Sequence, residues 1–203
     1  FGIVTKSAKV VQEAVKLFEA DLNRQTYTAG LKDFIVSPAN ARKQLLAFVK
    51  QARKQLLIYD PKVSDRQVIR LLEDHAKAGL DIKIIGGVSA RSSNLPVAPL
   101  TSMRLHTRAI IRDGRQAFVG SQSLRPPELD SRREIGIIVR DPNVVSRLVA
   151  ANDINRTLLT RSLEVVQGSL SLFTTLATPG LGYGREGRIS GSVGSLSVVS
   201  QSA

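Results

Sequence analysis

The chain has 203 residues, 42% of them hydrophobic but only 4% aromatic, enough apolar material for a domain-sized core built from Leu, Val, Ile and Ala. It holds no Cys and two His, which excludes disulfides, thiolate chemistry and Cys-based zinc sites and leaves little for a His-rich metal cluster; no metal or other cofactor is expected. A formal charge of +12 and a pI near 10.6 point to polyanions, phospholipid headgroups or nucleic acid, while the few aromatics weigh against base stacking and no run of about 18 apolar residues argues a membrane span.

Phe1 to Thr5 reads as a buried strand and not as a signal peptide, since no basic segment precedes an apolar one. A cytoplasmic place, or one peripheral to the inner face of a membrane, is expected. A helix capped by Ser7 follows, with Val10, Val11, Ala14, Val15, Leu17 and Phe18 turned to a core. Residues 25–30 form a polar connector. Leu31 to Val36 is a strand, and Ser37-Pro38 opens a basic helix with Leu45, Leu46, Phe48 and Val49 inward. Gln55 to Tyr59 is a strand stopped by Asp60-Pro61. Ser64 and Gln67 suit a capping box for a helix carrying Val68, Ile69, Leu71 and Leu72, closed by Gly79. His75 on that helix is a surface or half-buried histidine. Ile82 to Ile85 is a short strand, and the alternation of strand and helix predicts an α/β fold. Gly86 to Ser102 reads as a loop, with Arg91 its candidate for headgroup contact.

Arg104 to Ser123 reads as strand, turn, strand. Period-two alternation places Arg104, His106 and Arg108 on one face, and Asp113-Gly114 supplies the tight turn. The second strand ends at Gly120-Ser121, where a backbone and a small hydroxyl can approach a ligand closely. A histidine with an ordinary pKa of about 6.5 is largely neutral at pH 7, so it can attack phosphorus or return a proton. A neighbouring guanidinium stabilises charge on phosphoryl oxygens. Leu124 to Asp130 is a loop broken by Pro126-Pro127, and Arg132-Arg133-Glu134 leads into a strand from Ile135 to Val139. Asp141-Pro142 caps a last helix carrying Val144, Val145, Leu148 and Val149. Phe1-Gly2-Ile3-Val4 and the following helix match Ile135-Gly136-Ile137-Ile138 and its helix, as Asp21-Leu22-Asn23-Arg24 matches Asp153-Ile154-Asn155-Arg156. This is an internal repeat. Beyond about Ser162 the composition turns to Ser, Gly, Leu and Val, a tail of low order; its Gly182 to Gly187 pattern lacks the strand and helix that a dinucleotide site needs.

His106, Arg108, Asp113 and Gly120-Ser121 together resemble the His-x-Lys-x4-Asp-x6-Gly-Ser motif of the phospholipase D superfamily, which includes cardiolipin synthase-type phosphatidyltransferases and some nucleases. The resemblance covers roughly Phe1 to Arg156 and departs at two places. Arg108 stands for Lys, and Ser123 for the Asn usually found two residues after the Gly-Ser. It implies an α/β/α sandwich with a mixed, mainly parallel sheet. It divides the chain into the end of a first repeat (1–24), a connector (25–30), a second repeat (31–161) and the tail (162–203). It implies a phosphohistidine mechanism in which His106 is nucleophile or general acid, Arg108 the phosphate clamp, and Glu134 the carboxylate that orients the histidines. Gly120, Ser121 and Ser123 contact substrate, with Ser121 a hydrogen-bond donor, and Asp113 holds the turn. The expected activity is a phosphodiesterase or phosphatidyltransferase on phospholipid, with peripheral membrane contact. A metal-independent endonuclease acting on nucleic acid, or a non-catalytic half-domain, are the alternatives. The second motif would come from an upstream segment or from a homodimer.

Overall fold

The structure, a computed structural model, describes residues 2–89, 94–100 and 104–151, together with Gln167 and the backbone of 182–183 and 189–190. By internal packing the chain divides into Phe1–Ile154 and Asn155–Ala203. In the second unit Gly182–Tyr183 and Ile189–Ser190 pair as antiparallel strands. The remainder of the 162–203 tail, like Arg91, lies outside the described residues.

The first unit is a seven-stranded sheet with helices on its faces. Its elements are α1 (Ala8–Leu22), β1 (Phe34–Val36), α2 (Ala41–Lys50), β2 (Gln55–Val63), α3 (Arg66–Lys77), β3 (Asp81–Val88), β4 (Val97–Ala98), β5 (Ala109–Arg112), β6 (Gln116–Gly120), α4 (Pro126–Asp130), β7 (Ile135–Val139) and a helix α5 from 142 to 151. The strand order is β1-β7-β6-β5-β2-β3-β4. The sheet is mixed, as expected, but mainly antiparallel. Only β2·β3 and β3·β4 are parallel; β1·β7, β7·β6, β6·β5 and β5·β2 are antiparallel. The reason is local. One βαβ unit, β2-α3-β3, enforces parallel pairing, whereas β5 and β6 form a tight hairpin inserted beside it.

Alternation along the strands sorts the core into two layers. Ile35, Leu56, Ile58, Ile84, Ile110, Phe118 and Ile138 face α2, α3 and α4, meeting Leu45, Phe48, Leu72 and Leu129. Phe34 and Val36 point the other way and meet Leu17 of α1 and Tyr27. Burying about a dozen such side chains, each contributing roughly 1.5–3 kcal/mol, offsets much of the backbone's ordering entropy.

Several boundaries differ from the sequence reading. Residues 2–7 form no strand. Both edges of β7 are occupied, by β6 and β1, so Gly2 and Ile3 find no ladder and lie in a groove beside Ile137. Of the internal repeat, the helices α1 and α5 are present in both copies and the strand only in the second. On α1, Leu17 is buried, but Val11, Val15 and Phe18 are exposed, as is Leu22. Ser37-Pro38 is a cis turn and not a helix start. Asn40 takes over there: its carboxamide accepts the Val36 N–H at 2.8 Å and donates to the Phe34 carbonyl at 3.0 Å, fixing β1 before α2 begins. Asp65, not Ser64, caps α3, accepting the N–H groups of Gln67 and Val68 at 3.0 Å. Pro126-Pro127 starts the short α4, as proline suits a first helical turn.

Candidate active site

β2 runs through Asp60-Pro61 instead of stopping there. Its pairing with β5 ends at Tyr59↔Ala109, so the proline nitrogen lies where that ladder has ended, while β3 continues alongside to Val88. The close approach depends on Gly86, at φ +129°, where a Cβ would sit 1.8 Å from the Asp60 carbonyl oxygen. Asp60 is thereby carried into the interior, 2% exposed, below the segment that bears His106.

The hairpin forms as read. Asp113 and Gly114 have φ of +54° and +63°, and the Arg115 N–H donates to the Arg112 carbonyl at 3.0 Å. Residues 104–108, however, are not strand, because β2 has diverged at Asp60 and leaves them without a full ladder; one long bond, Gly120 N–H to Arg108 carbonyl at 3.3 Å, extends the pairing. His106 is consequently exposed, and Arg108 is half-buried. Arg108 Nε donates to Ser123 Oγ at 3.0 Å, and its Nη1 donates to the carbonyl of His106 at 3.1 Å. Arg108 and Ser123, the two departures from the family motif, are therefore bonded to each other.

Beneath them lie two buried carboxylates. Glu128, 1% exposed, accepts the Ser123 N–H at 2.9 Å on Oε2, while its Oε1 meets Arg125 Nη2 and, at 3.4 Å, Arg132 Nη1. Burial raises its pKa, but the Arg125 hydrogen bond and charge outweigh burial and hold it below the ordinary value. Asp60 accepts the Leu124 N–H at 2.6 Å and the Lys62 N–H at 2.8 Å. There burial dominates and pushes the carboxyl upward against those donors.

Gly120 opposes Gly136 across β6 and β7, and the Phe118 ring fills the space over both; a Cβ on Gly136 would come within 2.4 Å of that ring. Ser121 is exposed and tied to β7: its N–H donates to the Ile135 carbonyl at 2.9 Å, and its Oγ accepts the Ile135 N–H at 3.1 Å. Glu134 is half-buried. Its carbonyl accepts the Ser37 N–H at 2.9 Å, and its carboxylate lies in the field of Arg125; among the described residues it makes no hydrogen bond to His106. Arg132 pairs with Glu128, and Arg133 with Asp21 at 2.9 Å. Asp113 sits at the far end of the hairpin, accepting the N–H groups of Arg53, Lys54 and Gln55.

The site thus brings together His106, Arg108 and Ser123, with Gly120 and Ser121 on the adjoining strand end, and leaves Asp113 apart. Sequence reasoning missed Asp60, Glu128 and Arg125. Their only signal was charge beside proline, which was read as punctuation. His75 is half-buried on α3 with no partner for Nε2. A groove of about 610 Å³ lined by Val11, Val15, Phe18, Gly120, Ile135 and Gly136 borders the Gly120 corner. Among the described residues no helix is long and apolar enough to cross a membrane.

A family model described as cardiolipin synthase, PLD-like domain, matches residues 45–153. Polyphosphate kinase of Prosthecochloris aestuarii is 26% identical over 166 residues, covering 72% of this chain and 23% of that protein, so the chain spans about a quarter of this relative. Polyphosphate kinase from Porphyromonas gingivalis superposes with a TM-score of 0.63 at 20% identity, over 75% of this chain and 26% of that one. Nuc, a phospholipase D family member from Salmonella typhimurium, superposes with a TM-score of 0.52 at 17% identity, over 58% of this chain and 88% of that one. At these identities the structural likeness speaks to fold alone.

Proposed function

Since the chain belongs to the family of cardiolipin synthase, phospholipase D-like domains, we propose that it supplies one half of a phosphodiester-cleaving or phosphatidyl-transferring site, with His106 as its reacting group. The observation that carries this reading is the pairing of an exposed imidazole with a cation fixed to its own backbone. His106 is open to solvent, and Arg108 is held against it by the His106 carbonyl and Ser123.

In this reading, neutral His106 attacks phosphorus and a P–N bond forms as the P–O bond to the leaving group breaks. A second histidine protonates that oxygen. Water or an acceptor alcohol then attacks the phosphohistidine, giving up its proton to the second histidine and regenerating His106. Arg108 stabilises the charge gathered on the non-bridging oxygens. The second histidine is not His75, whose Nε2 is enclosed on α3. It would come from another half, and the exposed apolar side chains Val11, Val15, Phe18 and Leu22 of α1, with Ile135 beside Gly120, offer that half a surface continuous with the site.

Phospholipid is the substrate we favour, from the family description. A polyphosphate chain is the second reading, favoured by the share of this chain that matches polyphosphate kinases. The test is hydrolysis of bis(4-nitrophenyl) phosphate, phosphatidylglycerol vesicles and polyphosphate in chelator, at several protein concentrations. His106→Ala is expected to lower turnover at least about 100-fold. Activity retained within threefold refutes the assignment, and a rate rising faster than protein concentration identifies two copies as the halves.

A further inference from the structure

We propose that Asp60, Ser123 and Glu128 are positioning residues that act through Arg108, so that arginine at 108 and serine at 123 form one functional unit instead of two independent departures from the family motif. The inference rests on the phosphate-binding reading of His106 and Arg108.

Donor and acceptor accounting leads to it. Ser123 is 1% exposed, and its Oγ accepts the Arg108 Nε proton at 3.0 Å. The hydroxyl's single proton must then go to a buried acceptor. Two buried carboxylates lie beside it, Asp60 and Glu128, and either can take that proton. The order of donors that follows is Arg108 Nε–H to Ser123 Oγ and Ser123 O–H to one of the two carboxylates. The backbone repeats the arrangement. The Ser123 N–H is held by Glu128 of α4 at 2.9 Å and the Leu124 N–H by Asp60 of β2 at 2.6 Å, so residues 123 and 124 are clamped between two elements far apart in sequence.

The consequence falls on the guanidinium. Nε is committed to Ser123 and Nη1 to the His106 carbonyl, which leaves the Nη2 edge as the group free of these two bonds to meet a phosphoryl oxygen beside His106. Lysine has no donor at the Nε position, so it would leave Ser123 Oγ without its proton and would reach the phosphate on an untethered chain. Two further guanidiniums near Ser123, Arg125 and Arg132, are paired with Glu128.

The test is a double-mutant cycle on the full chain, with inorganic phosphate as the probe and affinity read by calorimetry at low ionic strength. Thermal unfolding of each variant separates folding from binding. Arg108→Lys and Ser123→Ala are each expected to weaken phosphate binding about tenfold, and the double variant no more than about twofold beyond either single one. Asp60→Asn is expected to weaken binding about threefold in the parent and not at all in the Arg108→Lys background; it keeps the inference testable if Ser123→Ala fails to fold. Ser123→Thr, which keeps the hydroxyl, is expected within threefold of the parent. If Arg108→Ala binds phosphate as the parent does, the phosphate reading itself fails and this inference with it; if Arg108→Lys does, the positioning inference fails alone. If Arg108→Lys weakens binding but Ser123→Ala or Asp60→Asn does not, or if their effects multiply, the positioning inference fails alone.

Discussion

Replacing Asp113 tests whether the motif aspartate acts on the hairpin or on the chemistry. Its carboxylate accepts three backbone N–H groups, from Arg53 at 3.1 Å, Lys54 at 2.7 Å and Gln55 at 3.0 Å, all in the segment that enters β2. Two of these donors are exposed and can be rehydrated, so each contributes about 0.5–1 kcal/mol; the half-buried Gln55 N–H contributes about 1.5 kcal/mol. Asp113 also adopts φ +54°, which costs alanine about 1 kcal/mol and asparagine much less. Asp113→Ala is therefore expected to lower stability by about 4 kcal/mol, and Asp113→Asn, which keeps one acceptor and the turn, by about 1–1.5 kcal/mol. Urea denaturation with an unchanged slope measures both. The pH dependence has a fixed sign. Burial raises the Asp113 pKa, but the donors of Gln55, Lys54 and Arg53 and the charge of Arg112 outweigh it, and the net shift is downward. The stabilisation is present above the unfolded value of about 3.9 and is lost as pH falls through the lower folded value. The gap between parent and Asp113→Ala should accordingly close in acid. An alanine variant within 1 kcal/mol of the parent, or an asparagine variant as damaged as the alanine one, refutes the reasoning.

Gly86→Ala places a Cβ on the Asp60 carbonyl at a φ that disfavours side chains, and is expected to cost about 3 kcal/mol or more in thermal unfolding; a loss under 1 kcal/mol contradicts the close approach of β2 and β3. Phe18→Glu alters a side chain that is 66% exposed, so it should change unfolding free energy by less than about 0.5 kcal/mol while weakening association of the two halves in sedimentation; a large stability loss would mean that α1 packs that face inward. With a formal charge of +12, raising salt from about 50 to 200 mM should lower kcat/KM on polyphosphate or anionic vesicles tenfold or more but on bis(4-nitrophenyl) phosphate less than about twofold, as steering acts on polyanions. Equal salt effects on both would exclude steering.

The parts legible in the sequence are those decided within a few residues. Asp113-Gly114 announces its turn because positive φ at successive positions favours those residues. Val68, Ile69 and Leu72 announce α3 by their spacing, and Ile135 to Val139 is bounded as read. What was not legible depends on partners distant in the chain. β1 adds an antiparallel edge to the sheet by pairing with β7 a hundred residues later. Asp60-Pro61 reads as a stop because proline breaks ladders, yet here the neighbouring ladder has already ended. Val11, Val15 and Phe18 carry the period of a buried face, and periodicity does not say whether the covering surface belongs to the same chain. At the site, the replacement of Lys by Arg and of Asn by Ser was visible as two substitutions, but their bond to each other was not, since fifteen residues and a hairpin separate them.

That bond changes what the departures mean. Read separately, each lowers the expectation of a working site, because arginine alters the reach of the clamp and serine removes a carboxamide. Read together, they exchange one donor-acceptor pair for another and keep a cation beside His106. The local charge then becomes instructive. Arg125 and Arg132 are paired with Glu128, and Asp60 and Glu134 add further carboxyl groups, so part of the positive charge around Ser123 is offset locally. Arg108 is the guanidinium fixed beside His106 to meet the phosphate. A phosphoryl group gathering a second negative charge in its transition state needs more than that, and under the proposed mechanism a second half contributing its own histidine and cation supplies the difference. The apolar face of α1 lies along the groove that ends at Gly120, so the surface that would bind such a half and the corner that would need it are the same region of the fold.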